Sequence, residues 1–184
     1  MDNIGILRNI EDSELELILS WRNDPLIRKN MYNTNVISLD EHLKWWEGIK
    51  ISLHHKYFMY EISDKAEGVV AFTNIDSINL HSFWAFYSSP KAPRGVGAKM
   101  EYCALEYAFE KLNLNKLSCE VLSYNIPVIN LHKKFGFVQE GVFRNHHVYD
   151  NEYHDVYRLG IMKSEWEEKK LEMLNRIQRQ ESKK

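Results

Sequence analysis

The residues with the clearest chemical potential are two glycines, Gly95 and Gly97, which follow a proline-containing loop and open an amphipathic segment. A helix that begins there has unpaired backbone N–H groups in its first turn, with little side chain in front of them. The helix dipole adds positive charge at the same end, so this site suits an anion such as phosphate or pyrophosphate. The predicted anion-binding residues are Arg94, Gly95, Val96, Gly97, Ala98 and Lys99.

Two common nucleotide-binding motifs do not fit this loop. A Walker loop needs Gly-Lys followed by Ser or Thr, whereas Gly97 is followed by alanine and then Lys99. A Rossmann fingerprint needs a third glycine three residues after the second, and Met100 stands at that position. The glycine pair alone is also typical of a tight turn, so the rest of the chain must decide which phosphate-bearing molecule it binds.

The composition predicts one soluble globular domain, because the 184 residues are 44% hydrophobic and 27% charged. A net charge of -2 gives no electrostatic reason to expect nucleic-acid binding. Cys103 and Cys119 lie in apolar periodic segments and are predicted to be buried thiols of a reducing compartment, not a disulfide or a metal site. The start of the chain lacks a signal-peptide layout, and no apolar run is long enough to span a membrane. We therefore expect a cytoplasmic protein with no membrane contact and no bound metal.

Apolar periodicity and turn residues predict a mixed α/β domain with the element order β, α, α, β, β, β, α, β, α, β, β. The predicted strands cover residues 4–10, 56–63, 68–76, 81–87, 116–122, 138–144 and 153–162. Asp12 or Ser13 is predicted to cap the first helix, Ser38 begins a capping box, and Gly136 ends the last helix before the final strand pair. We expect a single domain over residues 1–162 and a charged helical tail over 163–184. The predicted apolar face of the tail consists of Trp166, Leu171, Leu174 and Ile177.

The segment from Asn125 to Phe137 resembles the Asn-x-x-Ala-x-x-Leu-Tyr-x-Lys-x-Gly-Phe motif of the GNAT acyltransferases. Together with the glycine loop, the similarity extends over roughly residues 85–162. The resemblance implies a mostly antiparallel, splayed sheet flanked by helices, with acetyl-CoA as co-substrate and its pyrophosphate on the glycine loop. Two residues depart from the family pattern: Ala92 replaces the usual Gln or Arg before the loop, and His132 replaces the tyrosine that often serves as general acid.

The N-terminal half is similar to the GNAT branch of pseudaminic acid synthesis, on the runs Trp-Arg-Asn-Asp-Pro at 21–25 and Arg-Lys-Asn-Met-Tyr at 28–32. That resemblance implies N-acetylation of a UDP-linked 4-amino-4,6-dideoxy-hexose, and a sugar nucleotide as the small-molecule partner. N-terminal acetyltransferases of ribosomal proteins share the Trp-Arg-Asn opening and are a second candidate class. A CoA-binding module without catalysis is a third. Dimers are common in similar proteins, so a homodimer is also possible.

The family resemblance assigns CoA-binding roles to residues on both sides of the glycine loop. Main-chain N–H groups near Tyr87 and Ser88 are expected to polarise the thioester carbonyl. Asn125 is expected to hold the pantetheine arm, although its position equally suits a plain helix N-cap. The remaining predicted CoA ligands are Asn130 and Lys134, and an exposed lysine at 134 is otherwise simply solvated.

Acetyl transfer to an amine needs a base for the amine and benefits from an acid for the departing thiolate, whereas direct attack needs no nucleophilic side chain. His132 is the candidate acid, since an imidazole with a pKa near 6.5 titrates close to neutral pH. Its alternative role is a packed or CoA-lining residue. Glu120 is the candidate base, with a surface glutamate as the alternative, and His146 and His147 are weaker candidates.

The acceptor site is predicted from the N-terminal half. Arg28 and Lys29 are expected to neutralise the diphosphate of the sugar nucleotide, Arg28 by paired hydrogen bonds. Met31 and Tyr32 are expected to pack on the base or on the sugar ring. His42 and Trp46 are four residues apart and share a helix face that is predicted to line the same site. Tryptophans at this spacing are also typical of a core, so Trp46 or its neighbour at 45 is expected to be structural.

Overall fold

A seven-stranded sheet forms the centre of the fold in our computed structural model, which describes residues 4–181. The strands are β1 (Ile6–Asn9), β2 (Lys56–Ile62), β3 (Lys65–Asp76), β4 (His81–Ser88), β5 (Lys116–Leu122), β6 (Val138–Tyr149) and β7 (Glu152–Met162). Their spatial order is β1-β2-β3-β4-β5-β7-β6. Every neighbouring pair is antiparallel except β4 and β5, which are parallel. The sheet is therefore mostly antiparallel, as predicted.

Within the described residues, six helices surround this sheet: α1 (Leu15–Arg22), α2 (Pro25–Arg28), α3 (Leu39–Lys50), α4 (Val96–Glu106), α5 (Ile126–Phe135) and α6 (Lys163–Glu181). A short 3-10 turn precedes α1, and one π-helical turn extends α4. The observed order agrees with the predicted mixed α/β arrangement. The predicted domain begins at residue 1 and the predicted tail ends at residue 184, so residues 1–3 and 182–184 of those predictions lie outside the described part of the chain.

Side chains that alternate along β2 and β3 enter two separate hydrophobic cores. Phe58 and Tyr60 pack in the larger core with α4, α5 and α6, whereas Met59 between them packs in a smaller core with α1 and α3. Because neighbouring residues of a strand point to opposite faces, the two cores lie on opposite faces of the sheet. The sheet is thus a rigid wall between the helix groups, and any ligand that passes through it needs a gap between strands.

Such a gap forms between β4 and β5. These strands pair only over three positions, where His81 to Phe83 lie beside Lys116 to Ser118. Beyond them the two strands diverge, while β4 remains paired with β3 and β5 remains paired with β7. The main chain of residues 84–88 therefore has no strand partner on the side of β5. This splay opens a cleft in the middle of the sheet.

Two predicted turns are confirmed, but both neighbouring strands are longer than predicted. Ser63 and Asp64 have φ values of 51° and 59°, and Asp150 and Asn151 have φ values of 51° and 61°. Consecutive positive φ values are those of a tight hairpin turn whose twist matches that of the strands. Because each turn uses only two residues, β3 begins at Lys65 instead of residue 68, and β6 continues to residue 149 instead of 144.

The predicted helix caps are only partly confirmed. Ser38 and Glu41 form the predicted capping box at the start of α3. The predicted caps at Asp12 or Ser13 are wrong, because α1 begins later, at Leu15. Instead, the carboxylate of Asp12 accepts a hydrogen bond of 2.7 Å from the indole nitrogen of Trp46. Asp12 thus ties the start of the chain to α3.

The C-terminal helix α6 packs into the larger core. Trp166, Met173 and Ile177 are each at most 3% exposed. Leu171 is 67% exposed, so the predicted apolar face is wrong at this residue. Leu171 lies five positions after Trp166, so the two side chains point more than a third of a turn apart around the helix. Met173 and Ile177 lie seven and eleven positions after Trp166 and therefore share its side of the helix. None of the helices in the described chain has the length and apolar character needed to cross a membrane.

Candidate active site

The gap between β4 and β5 is a cleft of about 400 Å³. Both splayed strands line it, together with the start of α5 and the segment around the end of α2. Its lining includes Ile27, Asn30, Met31, Trp84, Phe86, Tyr87, Ser88, Ala92, Cys119, Glu120, Val121, Asn125, Val128 and His132. Five of the predicted catalytic and CoA-binding residues therefore meet at one place, although they come from β4, β5 and α5: Tyr87, Ser88, Glu120, Asn125 and His132.

The glycine loop lies next to this cleft and forms the N-terminus of α4. Gly95 has a φ of +96° and is the N-cap residue. The amide of Val96 donates to the Pro93 carbonyl at 3.2 Å, and the amide of Lys99 donates to the Gly95 carbonyl at 3.4 Å. The amide of residue 98 also donates to Gly95. Within residues 4–181 the amides of Gly95 and Gly97 donate to no main-chain acceptor, so the predicted five-amide cradle narrows to these two donors.

The two glycines provide a matched test of anion binding. A Cβ at Gly97 would meet its nearest neighbour, Leu131, at an ordinary 3.5 Å, so Gly97→Ala is compatible with the fold. We expect the free energy of unfolding of this variant to lie within about 1 kcal/mol of the wild-type value. We expect it to bind CoA about tenfold more weakly, because the added methyl group lies next to the amide that binds the pyrophosphate. Gly95→Ala adds a side chain at positive φ and costs about 1 kcal/mol of stability. Calorimetric titration with CoA measures the affinities, and unchanged affinity in Gly97→Ala would contradict the cradle.

The other predicted CoA residues fall into two groups. Asn125 is the N-cap residue of α5, but its side chain makes no capping hydrogen bond. It lines the cleft, as do Tyr87 and Ser88. The phenol of Tyr87 packs towards the smaller core, and burial raises its pKa. Asn130 and Lys134 are exposed on α5 and do not line the cleft, so their contact with CoA stays a prediction.

His132 lies beside a buried carboxylate that the sequence analysis missed. Its Nδ1 is 2.9 Å from Oε1 of Glu101, and the two side chains are 3% and 0% exposed. Burial alone would lower the pKa of His132, but Glu101 and Cys119 outweigh this effect and raise the pKa to about 10. Burial also raises the pKa of Glu101, while the histidine opposes that shift. The pair therefore keeps a proton at neutral pH.

A sequence signal for Glu101 existed in the spacing of α4. Glu101 lies four residues after Gly97, four before Leu105 and seven before Ala108, and the last two are fully buried. Residues at these spacings share one helix face, so Glu101 is a carboxylate within an apolar stripe. A charged residue in such a stripe is either paired or protonated.

Glu120 lies on the opposite face of the sheet from His132 and is part of a polar network. Its carboxylate accepts a hydrogen bond from the hydroxyl of Tyr32 at 2.7 Å and one from Arg158 at 3.0 Å. The guanidinium of Arg158 stacks 3.8 Å from the centre of the Phe83 ring. Burial, followed by the hydrogen bond to Glu120, raises the pKa of Tyr32. Glu120 is thus a cleft-lining carboxylate with two partners, neither deeply buried nor simply solvated.

The predicted acceptor residues do not all face the cleft. Met31 lines it, and Lys29 lines an adjoining pocket. Arg28 uses its guanidinium to hold the carbonyls of Asn23 and Thr34, at 3.1 and 2.7 Å. These two hydrogen bonds give Arg28 a role in shaping the loop after α2, and its role at a diphosphate stays a prediction.

The predicted ligand face of α3 is buried and lies away from the cleft. His42 and Trp46 are 4% and 6% exposed, and Trp46 belongs to the smaller core. Neither residue lines the cleft. An amphipathic pattern predicts that one face of a helix is buried, but it does not predict what packs against that face. Here the sheet and α1 pack against it.

The histidines near the end of β6 differ from each other in their surroundings. His147 is 7% exposed, its Nε2 has no hydrogen-bond partner among the described residues, and its ring stands edge-on to Tyr32 at 5.8 Å. Burial lowers the pKa of His147. His146 is exposed and stacks obliquely with Phe143. Of the two, only His147 is near the network of Glu120.

Comparison with known proteins agrees with the splayed sheet and the glycine loop. The family model described as an acetyltransferase (GNAT) domain matches residues 7–157. The chain belongs to the GNAT acetyltransferase family. Acetyltransferase PseH of Campylobacter jejuni is 28% identical to it over 156 residues, which are 85% of this chain and 90% of that protein. Spermidine N(1)-acetyltransferase of Vibrio cholerae is 24% identical over 87% of this chain and 94% of that protein.

A solved structure gives the same result at the level of the fold. The crystal structure of spermidine N-acetyltransferase from Vibrio cholerae in complex with CoA and spermine has a TM-score of 0.83 and 25% sequence identity. The match covers 87% of this chain and 96% of that chain. This GNAT chain is therefore an acetyl-CoA-dependent N-acetyltransferase with the predicted fold. The alternative of a CoA-binding module without catalysis is set aside.

Proposed function

We propose that this acetyltransferase transfers the acetyl group of acetyl-CoA to the 4-amino group of a UDP-linked amino-dideoxy sugar, by direct attack of the amine. The observation that carries the proposal is the similarity to acetyltransferase PseH over 85% of the chain. The Trp-Arg-Asn-Asp-Pro and Arg-Lys-Asn-Met-Tyr runs support it, since both resemble the pseudaminic acid branch and the second contributes Asn30 and Met31 to the cleft.

Acetyl-CoA fits the residues that surround the cleft. In the proposed complex the pyrophosphate meets the amides of Gly95 and Gly97, and the pantetheine arm enters the cleft past Asn125. The N–H of Ser88 lies on the side of β4 that lacks a strand partner, because the N–H of Ser89 donates to β3 and the N–H directions alternate along a strand. It donates to the thioester oxygen as that oxygen becomes an oxyanion. His132 supports the departing sulfur from the other face.

The acceptor amine approaches from the side of Tyr32 and Glu120. Glu120 lines the cleft and takes the proton that the amine loses, while Arg158 keeps the carboxylate in place. The adjoining pocket contains Lys29, which is placed to neutralise part of the diphosphate. The sugar thus lies between the splayed strands and the loop that follows α2.

A polyamine is a second candidate acceptor, and one observation favours it. The adjoining pocket contains the carboxylates of Asp150 and Glu152 together with the rings of Tyr124 and Tyr149. Carboxylates and aromatic faces both attract an alkylammonium ion. The match to the Vibrio cholerae enzyme in complex with spermine supports the same possibility.

The test compares three acceptors with the full chain and acetyl-CoA, by following release of the CoA thiol. We expect kcat/KM for a UDP-linked 4-amino-4,6-dideoxy sugar to exceed the values for spermidine and for a peptide with a free N-terminus by at least about 100-fold. The matched control is the same sugar nucleotide already acetylated at the 4-amino group, which releases no thiol. NMR of the product locates the new acetyl group.

Two outcomes would contradict the proposal. A higher kcat/KM for spermidine, lost in the variant Asp150→Asn/Glu152→Gln, would establish the polyamine alternative. A preference for the peptide would establish an N-terminal acetyltransferase of the ribosomal type. If the sugar is the substrate, the double substitution lowers its kcat/KM by less than about threefold, because neither carboxylate is needed for a neutral sugar or an anionic diphosphate.

A further inference from the structure

The buried pair of Glu101 and His132 is the strongest unexplained feature of the core. A carboxylate that is 0% exposed is costly to keep in an apolar environment, even when it is paired. Oε1 of Glu101 has the histidine as its partner, whereas Oε2 has no hydrogen-bond partner among the described residues. Apolar residues of similar volume would serve packing at least as well. The pair therefore has a role that packing does not explain.

The contact between these residues fixes the histidine ring. Because Nδ1 faces Glu101, Nε2 is the nitrogen left for the Cys119 thiol and for a ligand in the cleft. Three aromatic rings confine the imidazole, with centroids between 5.1 and 6.0 Å away: Trp84, Phe86 and Phe137. His132 itself lines the cleft between β4 and β5. The ring is thus held at the wall of the cleft in one orientation.

The electrostatic surroundings of the ring are simple. The ionisable groups that face it within the described chain are Glu101 on α4 and the thiol of Cys119 on β5, which lies within hydrogen-bonding range. Burial would favour a neutral ring, but these two acidic groups favour the charged one. The remaining neighbours are apolar or aromatic and add no opposing charge.

We propose that Glu101 is a positioning residue for His132, holding the imidazole protonated and oriented so that Nε2–H faces the sulfur of acetyl-CoA in the cleft. The inference rests on the proposed acetyl transfer but not on the identity of the acceptor. The amine nitrogen bonds to the acetyl carbon, and the carbon–sulfur bond breaks with its electron pair on sulfur. Sulfur then takes the proton of His132, and the proton that the amine loses to Glu120 passes through solvent to restore the charge on His132. The products are the acetamide and free CoA thiol.

The first test is the titration of His132 followed by NMR of the ring, with the signal assigned by its loss in His132→Gln. In the wild type we expect the ring to stay charged through pH 8. In Glu101→Gln we expect it to be neutral above about pH 6.5, since burial then acts without the carboxylate. The matched control is Glu110→Gln, an exposed glutamate after the same helix, which leaves the titration unchanged.

The second test is kinetic and separates positioning from binding. At pH 7.5 we expect Glu101→Gln to lower kcat by at least about tenfold while KM for acetyl-CoA changes less than twofold. Glu101→Asp recovers part of the loss. A wild-type ring that is neutral at pH 8 overturns the proposal even if Glu101→Gln does not fold. A Glu101→Gln enzyme whose His132 titration and kcat both equal the wild-type values also overturns the proposal. Failure of the sugar as substrate leaves the titration unaffected, so the two proposals fail separately.

Discussion

Trp166→Ala is expected to lower the free energy of unfolding by about 4 kcal/mol, which is among the largest effects that a single substitution can have here. The indole is 1% exposed and lies between Tyr102 and Phe135, with ring centroids at 5.3 and 6.1 Å. Its nitrogen also donates to Glu106 at 2.8 Å. Removal leaves a cavity between α4, α5 and α6 and also loses the hydrogen bond to Glu106, which keeps its ion pair with Lys170. Urea unfolding followed by circular dichroism measures the loss.

The control for this substitution lies on the same helix. Leu171→Ala removes a side chain that is 67% exposed and is expected to change stability by less than about 0.5 kcal/mol. A loss below about 1 kcal/mol in Trp166→Ala would mean that α6 contributes little to the core. An equal loss in both variants would mean that helix propensity, and not packing, determines the effect.

His132→Phe is expected to lower the free energy of unfolding by about 3 kcal/mol, because it leaves Glu101 buried without its partner. The double variant Glu101→Leu/His132→Phe is expected to return to within about 1 kcal/mol of the wild type, since apolar residues replace the whole pair. The coupling energy, which is the double loss minus the sum of the single losses, is then at least about 2 kcal/mol in magnitude. Additive losses in urea unfolding would contradict the ion pair.

The pH dependence of this coupling has a definite sign. The folded state raises the pKa of His132 from 6.5 to about 10, so the pair contributes its full stabilisation below about pH 6.5. The stabilisation from the pair decreases as the pH rises towards 10, because His132 then loses its proton in the folded protein as well. The difference in stability between the wild type and the double variant should therefore fall between pH 7 and 10. We also expect kcat to stay low in the double variant although its stability recovers, which separates catalysis from folding.

Local signals in the sequence were sufficient for most of the framework. The Ser38 capping box, the tight turns at Ser63 and Asp150, and Gly136 at the end of α5 all depend on a few neighbouring residues. Such features need no knowledge of the rest of the chain, because backbone conformation and nearby hydrogen bonds decide them. The Asn125 to Phe137 motif, with the glycine loop, was likewise enough to indicate the family.

The tertiary structure decided which partner each chemical group has. The sequence marks Glu101 and His132 as residues on two helices, but only the packing of α4 against α5 makes them an ion pair. The contact between Tyr32 and Glu120 spans 88 residues of sequence. His42 and Trp46 share a face, as their spacing predicted, yet that face covers the core and not the cleft. Helical and strand periodicity determine which side of an element is buried. What lies against that side depends on contacts between distant segments, which only the folded chain establishes.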